Sequence, residues 1–328
     1  MDKHNIVVIG ASAGGVYALK EIVAELPADF QATIFIVQHV SADAPSYLPD
    51  ILNYGGKLKA YHAVDGDVIR PGTIYVAPPD HHMLVEKDRI LVKKGPKENR
   101  FRPSIDALFR SAAYTFGPRV IGVILTGLLN DGTSGMWSVK RLGGISVIQK
   151  PEEALYPSMP ESVRENVEVD FTVSIAQLTS LLTELTRQKV ADKPALTPHE
   201  DYLMATEIKL AQEKPNKAMD IFNQGTLTPL TCPECHGSLV SIQEGGLVRY
   251  RCHTGHGFSS GSLIEGVSHS VEDSLWSAIR SLEELVMLLD KTAEGLESKG
   301  NTDIARSYRE RSEKARERIE KIRPLLFE

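Results

Sequence analysis

Short apolar runs alternate with amphipathic stretches through the first half of the chain, the pattern of a mostly parallel sheet covered by helices on both faces. Ile6-Val7-Val8-Ile9 predicts a buried first strand. A glycine-rich turn follows, then a helix on which Val16, Leu19, Ile22, Val23 and Leu26 share one face. Residues 33–37 predict the second strand and 45–53 the next helix. Residues 72–79 read as a strand entering a loop, and the apolar triplets 83–85 and 90–92 as a hairpin. Residues 104–116 are helical, with Ser104 as N-cap. Strands at 120–125 and 145–148 flank a helix over 133–142, and a helix over 174–188 closes this α/β, doubly wound domain, assigned to residues 1–188.

Polarity then rises, and Pro194, Pro198 and Pro215 punctuate a stretch expected to be a linker over 189–227, with one isolated helix over 198–212. Residues 228–259 form a compact unit holding all three cysteines. Beyond it, over 260–328, Val267, Val271, Leu275, Ile279, Leu282, Val286 and Leu289 recur at spacings of three and four. Ile304, Tyr308, Ala315, Ile319 and Ile322 repeat the pattern after Gly300, which predicts an antiparallel helical hairpin.

Composition narrows the class. With 42% hydrophobic and 24% charged residues the chain reads as soluble and globular, and a formal charge of −6 argues against nucleic acid or an anionic membrane surface as main partner. No apolar run approaches the roughly 20 residues that span a bilayer, and the N-terminus lacks the apolar core of a signal peptide. The expected location is therefore cytoplasmic. Three clustered cysteines suit a metal better than a disulfide framework.

Gly10-Ala11-Ser12-Ala13-Gly14 fits G-x-S-x-G between a strand and a helix, where a serine can be held on a sharp turn facing backbone amides and the positive end of the helix. The competing dinucleotide-binding loop would need a glycine at Ser12 and an acidic residue ending the second strand, which instead ends in Gln38-His39. A phosphate-binding loop would need Gly-Lys-Ser/Thr, which is absent here. His39, at the carboxyl end of a neighbouring strand, is the candidate base for Ser12. Its bland alternative is a hydrogen-bonded histidine at a strand end. Asp131, after the strand 120–125, is the candidate orienting carboxylate, with an N-cap for the next helix as its structural alternative. Asp106 and Asp80 are the weaker carboxylates. The amide of Ala13, at the start of the helix after Ser12, is a candidate oxyanion donor.

Six ordered blocks carry a family resemblance: Gly10-Ala-Ser-Ala-Gly-Gly15, Val37-Gln-His39, Ala77-Pro78-Pro-Asp-His81, Arg102-Pro-Ser-Ile-Asp106, Leu125-Thr-Gly-Leu-Leu-Asn-Asp-Gly132 and Met159-Pro160. Over roughly residues 4–185 the chain resembles the catalytic domain of chemotaxis methylesterases, the CheB family, whose serine, histidine and aspartate fall on Ser12, His39 and Asp131. The resemblance implies hydrolysis of glutamate methyl esters on the cytoplasmic helices of chemoreceptors to glutamate and methanol, with glutamine deamidation as a second activity. No cofactor is expected for catalysis. The sequence departs from the family at Leu128, where methionine is usual; the Leu128 amide is the second candidate oxyanion donor, since a backbone N–H serves whatever the side chain. The sequence also begins at the first strand of the catalytic domain, so phosphorylation of a preceding receiver domain is not expected to control it. A non-catalytic receptor- or regulator-binding module of the same fold is the alternative; the presence of all three candidate residues disfavours it.

Cys232-Pro-Glu-Cys235, followed by Cys252 and His256, has the spacing of a zinc ribbon around a short hairpin over 239–250. Three thiolates and an imidazole would close a structural Zn²⁺ site, with His253 and His236 as rival fourth ligands. Similar extensions occur in some stand-alone members of the family. The ribbon and the helical hairpin are expected to dock a regulatory partner or a second copy of the chain.

Overall fold

The computed structural model describes residues 3–212, 221, 223 and 225–327. Two compact units divide the chain, residues 1–263 and 264–328.

The first unit is built on a seven-stranded, wholly parallel sheet. Its strands are β1 (Ile6–Ala11), β2 (Thr33–Gln38), β3 (Lys59–His62), β4 (Thr73–Val76), β7 (Val120–Ile124), β8 (Ile145–Gln149) and β9 (Phe171–Val173), ordered β3-β4-β2-β1-β7-β8-β9. The antiparallel hairpin of β5 (His82–Glu86) and β6 (Arg89–Lys93) stands outside it. Strand β1 shows why both faces are covered. Val7, Ile9 and Ala11 join one core with α1 (Gly15–Glu25), α2 (Leu48–Gly55) and α6 (Ile175–Leu185), while Ile6 and Val8 join the other with α3 (Ile105–Phe116), α4 (Thr133–Arg141) and α5 (Ser158–Asn166). Gly10 lacks a side chain where α3 comes closest; a Cβ there would lie 2.4 Å from Ile105 Cγ2.

The fold class is as expected, with differences of detail. The edge strand β3 and the short β9 and α5 carry too few apolar positions to show in the hydrophobic pattern; in β3 only Ala60 is buried. Helix α2 begins at Leu48, later than expected, with a proline in its first turn. Ser104 sits at the N-cap position of α3 but makes no cap hydrogen bond; its hydroxyl donates to Asp131 instead.

The expected linker differs most. Helix α7 (Pro198–Gln212) is not isolated but packs on α3, β5 and β6, burying Leu203, Met204, Glu207 and Leu210. Residues 213–220, 222 and 224 of that stretch, Pro215 among them, lie outside the described residues. The cysteine-containing unit is a four-stranded antiparallel sheet of β10 (Thr226–Thr231), β11 (Ser238–Glu244), β12 (Leu247–Cys252) and β13 (Gly257–Ser259), and it belongs to the same compact unit as the seven-stranded sheet.

Buried charges join these layers. Glu98 from the loop before α3, Arg110 from α3, Glu207 from α7 and Arg249 and Arg251 from β12 are each at most 3% exposed, and Glu244 closes the set. Burial alone would raise the carboxyl groups of Glu98 and Glu207, but the facing guanidinium groups outweigh it and hold both well below the ordinary glutamate value. Arg251→Met would strip both carboxylates of a partner. We expect a loss of about 3–5 kcal/mol, read as a lower denaturant midpoint. Because both folded values are depressed, their stabilisation is complete above the ordinary value of 4.5 and is lost as pH falls toward the Glu207 value of about 2. Stability measured between those pH values should fall steeply in the wild type.

The second unit pairs the distal part of α8 (Ser260–Glu297) with α9 (Thr302–Ile322). Ile279 and Val286 pack against Ala315 and Ile319, Gly300 turns the chain at φ 79°, and Arg316 pairs with Asp290. Among the described residues no helix is long and apolar enough to cross a membrane.

Candidate active site

The register places three strand ends side by side. Gly10 lies opposite Val37 of β2 and Ile124 of β7, so Ser12, His39 and the segment from Thr126 leave one edge of the sheet together, where the strand order reverses. The turn after β1 is held from all sides. The Ser12 amide donates to the Thr126 carbonyl, Gly15 and Gln38 Nε2 donate to the Ser12 carbonyl, and Thr126 Oγ1 donates to that of Ala13. Gly14 takes φ 78°, a left-handed conformation that opens α1. The His39 amide donates to Ala11, which fixes the second strand end against the first.

His39 Nδ1 lies 3.2 Å from Ser12 Oγ, and Nε2 lies 2.8 Å from Asp131 Oδ2. The side chains of His39 and Asp131 are 4% and 0% exposed, and the imidazole stacks on Phe101 at 3.7 Å between centroids. With Asp131 ionised, the proton belongs on Nε2, which leaves Nδ1 free to accept from the serine hydroxyl. Serine proteases use the two nitrogens the other way round. The reversal is set by geometry, since rotating the ring by 180° would put carbons against both partners.

Asp131 accepts six hydrogen bonds. Oδ2 receives His39 and the Ile105 amide, while Oδ1 receives Asn99 Nδ2, Ser104 Oγ and the amides of Asp106 and Gly132. Burial would raise its pKa, but the bond and charge of His39, then Ile105 and Asn99, outweigh that and lower it. Asp131 is not the N-cap of α4; Gly132 takes that position. Asp106 makes no hydrogen bond to His39 among the described residues. Its Oδ1 receives the amides of Gly132 and Gly135, and burial together with the Asp131 charge raises its pKa to about 7. Asp80 pairs with Arg102 and Lys94.

The amides of Ala13 and Leu128 make no hydrogen bond among the described residues, whereas those of Gly15 and Gly127 are already taken. Gly127 sits against the serine; a Cβ there would be 2.8 Å from Ser12 Cβ and 2.1 Å from Met159 Sδ. Gly127→Ala should therefore displace Ser12 and lower kcat on the order of 100-fold, checked by steady-state rates at unchanged metal content.

Gln38, Thr126, Phe101, Asn99 and Ser104 are not among the candidate site residues that the sequence singles out. Gln38, Ser104 and Thr126 lie inside motif blocks, so proximity in sequence is a usable signal. Asn99 and Phe101 had none.

The family model described as CheB methylesterase matches residues 7–182, more than half of the chain. The chain belongs to this family. A Leptospira interrogans protein, provisionally named protein-glutamate methylesterase/protein-glutamine glutaminase, is 37% identical over 191 residues, which cover 58% of this chain and 99% of the relative. A Methanosarcina mazei protein-glutamate methylesterase/protein-glutamine glutaminase is 34% identical over 193 residues, 56% of this chain and 52% of the relative, so the chain spans about half of that protein. The crystal structure of the Thermotoga maritima CheB methylesterase catalytic domain superposes with a TM-score of 0.54 at 34% identity, covering 56% of this chain and 99% of that domain.

Beyond the part matched to the CheB family model, Cys232, Cys235, Cys252 and His256 bring one donor atom each to within 4.8 Å of one another and could hold a metal ion. Cys235 Sγ is 3.6 Å from Cys252 Sγ, and His256 Nδ1 lies 3.7 and 3.6 Å from the sulfurs of Cys232 and Cys252. Tetrahedral zinc with ordinary bond lengths spaces sulfurs about 3.8 Å apart and sulfur from nitrogen about 3.5 Å. The donor set fits. Neither rival belongs to this group of donor atoms, and the His253 ring lies over Gly237. Hydrogen bonds from Cys232, then His256 and Thr254, lower the Cys252 thiol, while the Cys252 partner and burial raise that of Cys232.

Proposed function

We propose that this chain is a protein-glutamate methylesterase acting on methylated chemoreceptors, with Ser12 as nucleophile, His39 as general base and acid, and Asp131 as the orienting carboxylate. One observation carries the reading: the unbroken hydrogen-bonded sequence Ser12 Oγ, His39 Nδ1 and Nε2, Asp131 Oδ2 at a sheet edge. The names of the relatives support the substrate class.

Ser12 Oγ attacks the ester carbonyl carbon as His39 Nδ1 takes the hydroxyl proton. The carbonyl oxygen becomes an oxyanion, for which the Ala13 and Leu128 amides are the available donors. The bond to the methoxy oxygen then breaks, His39 returns the proton to that oxygen, and methanol leaves. Water attacks the resulting glutamyl-serine ester, His39 accepts its proton, and glutamate is released as Ser12 regains its hydrogen. The same steps on a primary amide would release ammonia from glutamine, the second activity in the relatives' names. Zinc held by Cys232, Cys235, Cys252 and His256 would have no open position, so its contribution is to folding. The second unit is assigned to docking or self-association, supported by the exposed Ile264, Val267, Val271 and Trp276 on α8.

The test is methanol release from a chemoreceptor fragment carrying labelled methyl esters, with glutamine deamidation of the same fragment followed by mass spectrometry. Time-dependent methanol from the purified chain is expected. Binding of the fragment without release of methanol would favour the non-catalytic module.

A further inference from the structure

The five residues 97–101 touch both the catalytic residues and the cysteine–histidine unit. Phe101 lies against the His39 ring and Asn99 donates to Asp131. Glu98 pairs with Arg249 and Arg251 of β12. The backbone of this loop is also tied to β13, directly after His256: the Gly257 amide donates to the Lys97 carbonyl, and the Asn99 amide donates to the Gly257 carbonyl.

Asn99 is the central link. It is 2% exposed, and its φ of 50° lies in the left-handed region, which asparagine tolerates but which its surroundings must hold. Its Oδ1 accepts from the Ser259 amide and from Ser262 Oγ, while its Nδ2 donates to Asp131 Oδ1 and Asp106 Oδ2. A backbone N–H can only donate, so Ser259 dictates which end of the Asn99 amide faces the two carboxylates. Were that bond lost and the amide to turn over, an oxygen would face both carboxylates. Ser259 Oγ reaches Asn130 Oδ1 as well, beside Asp131.

We propose that Asn99 is a positioning residue for Asp131, and that the cysteine–histidine unit, by orienting Asn99 through Ser259 and Ser262, is a working part of the active site. The proposal rests on the assignment of Asp131 as the orienting carboxylate. The Leptospira relative and the Thermotoga domain are each covered to 99% of their length by less than three-fifths of this chain. Those matched lengths leave no room for a second unit of this size in either matched chain, so the dependence is proposed for this chain alone. Loading of the Cys232, Cys235, Cys252 and His256 cluster would then set the turnover rate from outside the catalytic sheet.

The experiment uses the whole 328-residue chain, metal-loaded, and its Asn99→Ala, Ser262→Ala and Asp131→Asn variants, alone and combined. Methanol release and zinc content are measured on each. Asn99→Ala should lower kcat on the order of ten- to hundred-fold with little change in KM, and Ser262→Ala should do the same to a smaller extent. Neither should lower the rate further once Asp131→Asn is present, because both act through that carboxylate. Trp137 supplies a readout apart from activity. Its indole lies over Gly245 between β11 and β12, where a Cβ would be 2.6 Å from Nε1. In a Trp276→Phe background, withdrawing zinc with a chelator should red-shift Trp137 emission as kcat falls, and added zinc should restore both. Should Asn99→Ala fail to fold, Ser262→Ala and zinc withdrawal carry the test. Full kcat in the folded variants and after zinc loss, or losses that multiply with Asp131→Asn, would overturn the proposal. If Asp131→Asn itself keeps the wild-type rate, the triad assignment has failed instead.

Discussion

Ser12→Ala is expected to reduce methanol release by about 10⁵-fold or more while leaving the fold intact. The hydroxyl has one hydrogen-bond partner among the described residues, His39 Nδ1; the turn is held by the Ser12 backbone, through Thr126, Gly15 and Gln38. Removing Oγ therefore takes away the nucleophile without loosening the loop, and a thermal midpoint within a degree or two of wild type should accompany the loss. The residual rate would come from substrate binding and the oxyanion donors, which the change does not touch. A variant still releasing methanol at a tenth of the wild-type rate would remove Ser12 from the mechanism.

The second large effect is expected at Asp131→Asn, a loss of roughly 10⁴-fold in kcat. An asparagine cannot accept at both positions. If its NH₂ replaces Oδ2 it meets the His39 and Ile105 N–H groups. Replacing Oδ1, it meets Asn99, Ser104 and two amides. In the first case the imidazole must place its proton on Nδ1 and can no longer accept from Ser12. Unlike Ser12→Ala, this change should also cost stability, about 1–3 kcal/mol, since buried donors are left facing donors. Rates and denaturation curves on the same preparation separate the two consequences.

The three candidate catalytic residues were legible because each ends or follows a buried strand whose apolar run is plain in the sequence, and parallel strands end at a common edge. Ser12 stood in a recognisable turn, and Asp131 followed Leu125-Thr-Gly. Asn99 and Phe101 were not legible, because their loop belongs to no periodic element and is placed by contacts with a segment about 160 residues further on. The docking of α7 and the cysteine unit was hidden for another reason. The residues that join them to the sheet are Glu98, Arg110, Glu207, Arg249 and Arg251, and charged side chains in a sequence point to solvent unless their partners are known. The edge strand β3 was lost because an edge presents few buried positions; the hairpin over β11 and β12 was signalled instead by the Cys232/Cys235 and Cys252/His256 pairs on either side of it, since its burial does not alternate regularly.

The measurement closest to the central claim is peptide mapping after reaction with a fluorophosphonate, which captures only a serine made nucleophilic by its surroundings. A single adduct on Ser12, formed at a rate that falls sharply in His39→Ala and that methylated receptor fragment slows, is the predicted result. An adduct on another serine, or labelling of Ser12 that proceeds equally well without His39, would contradict it.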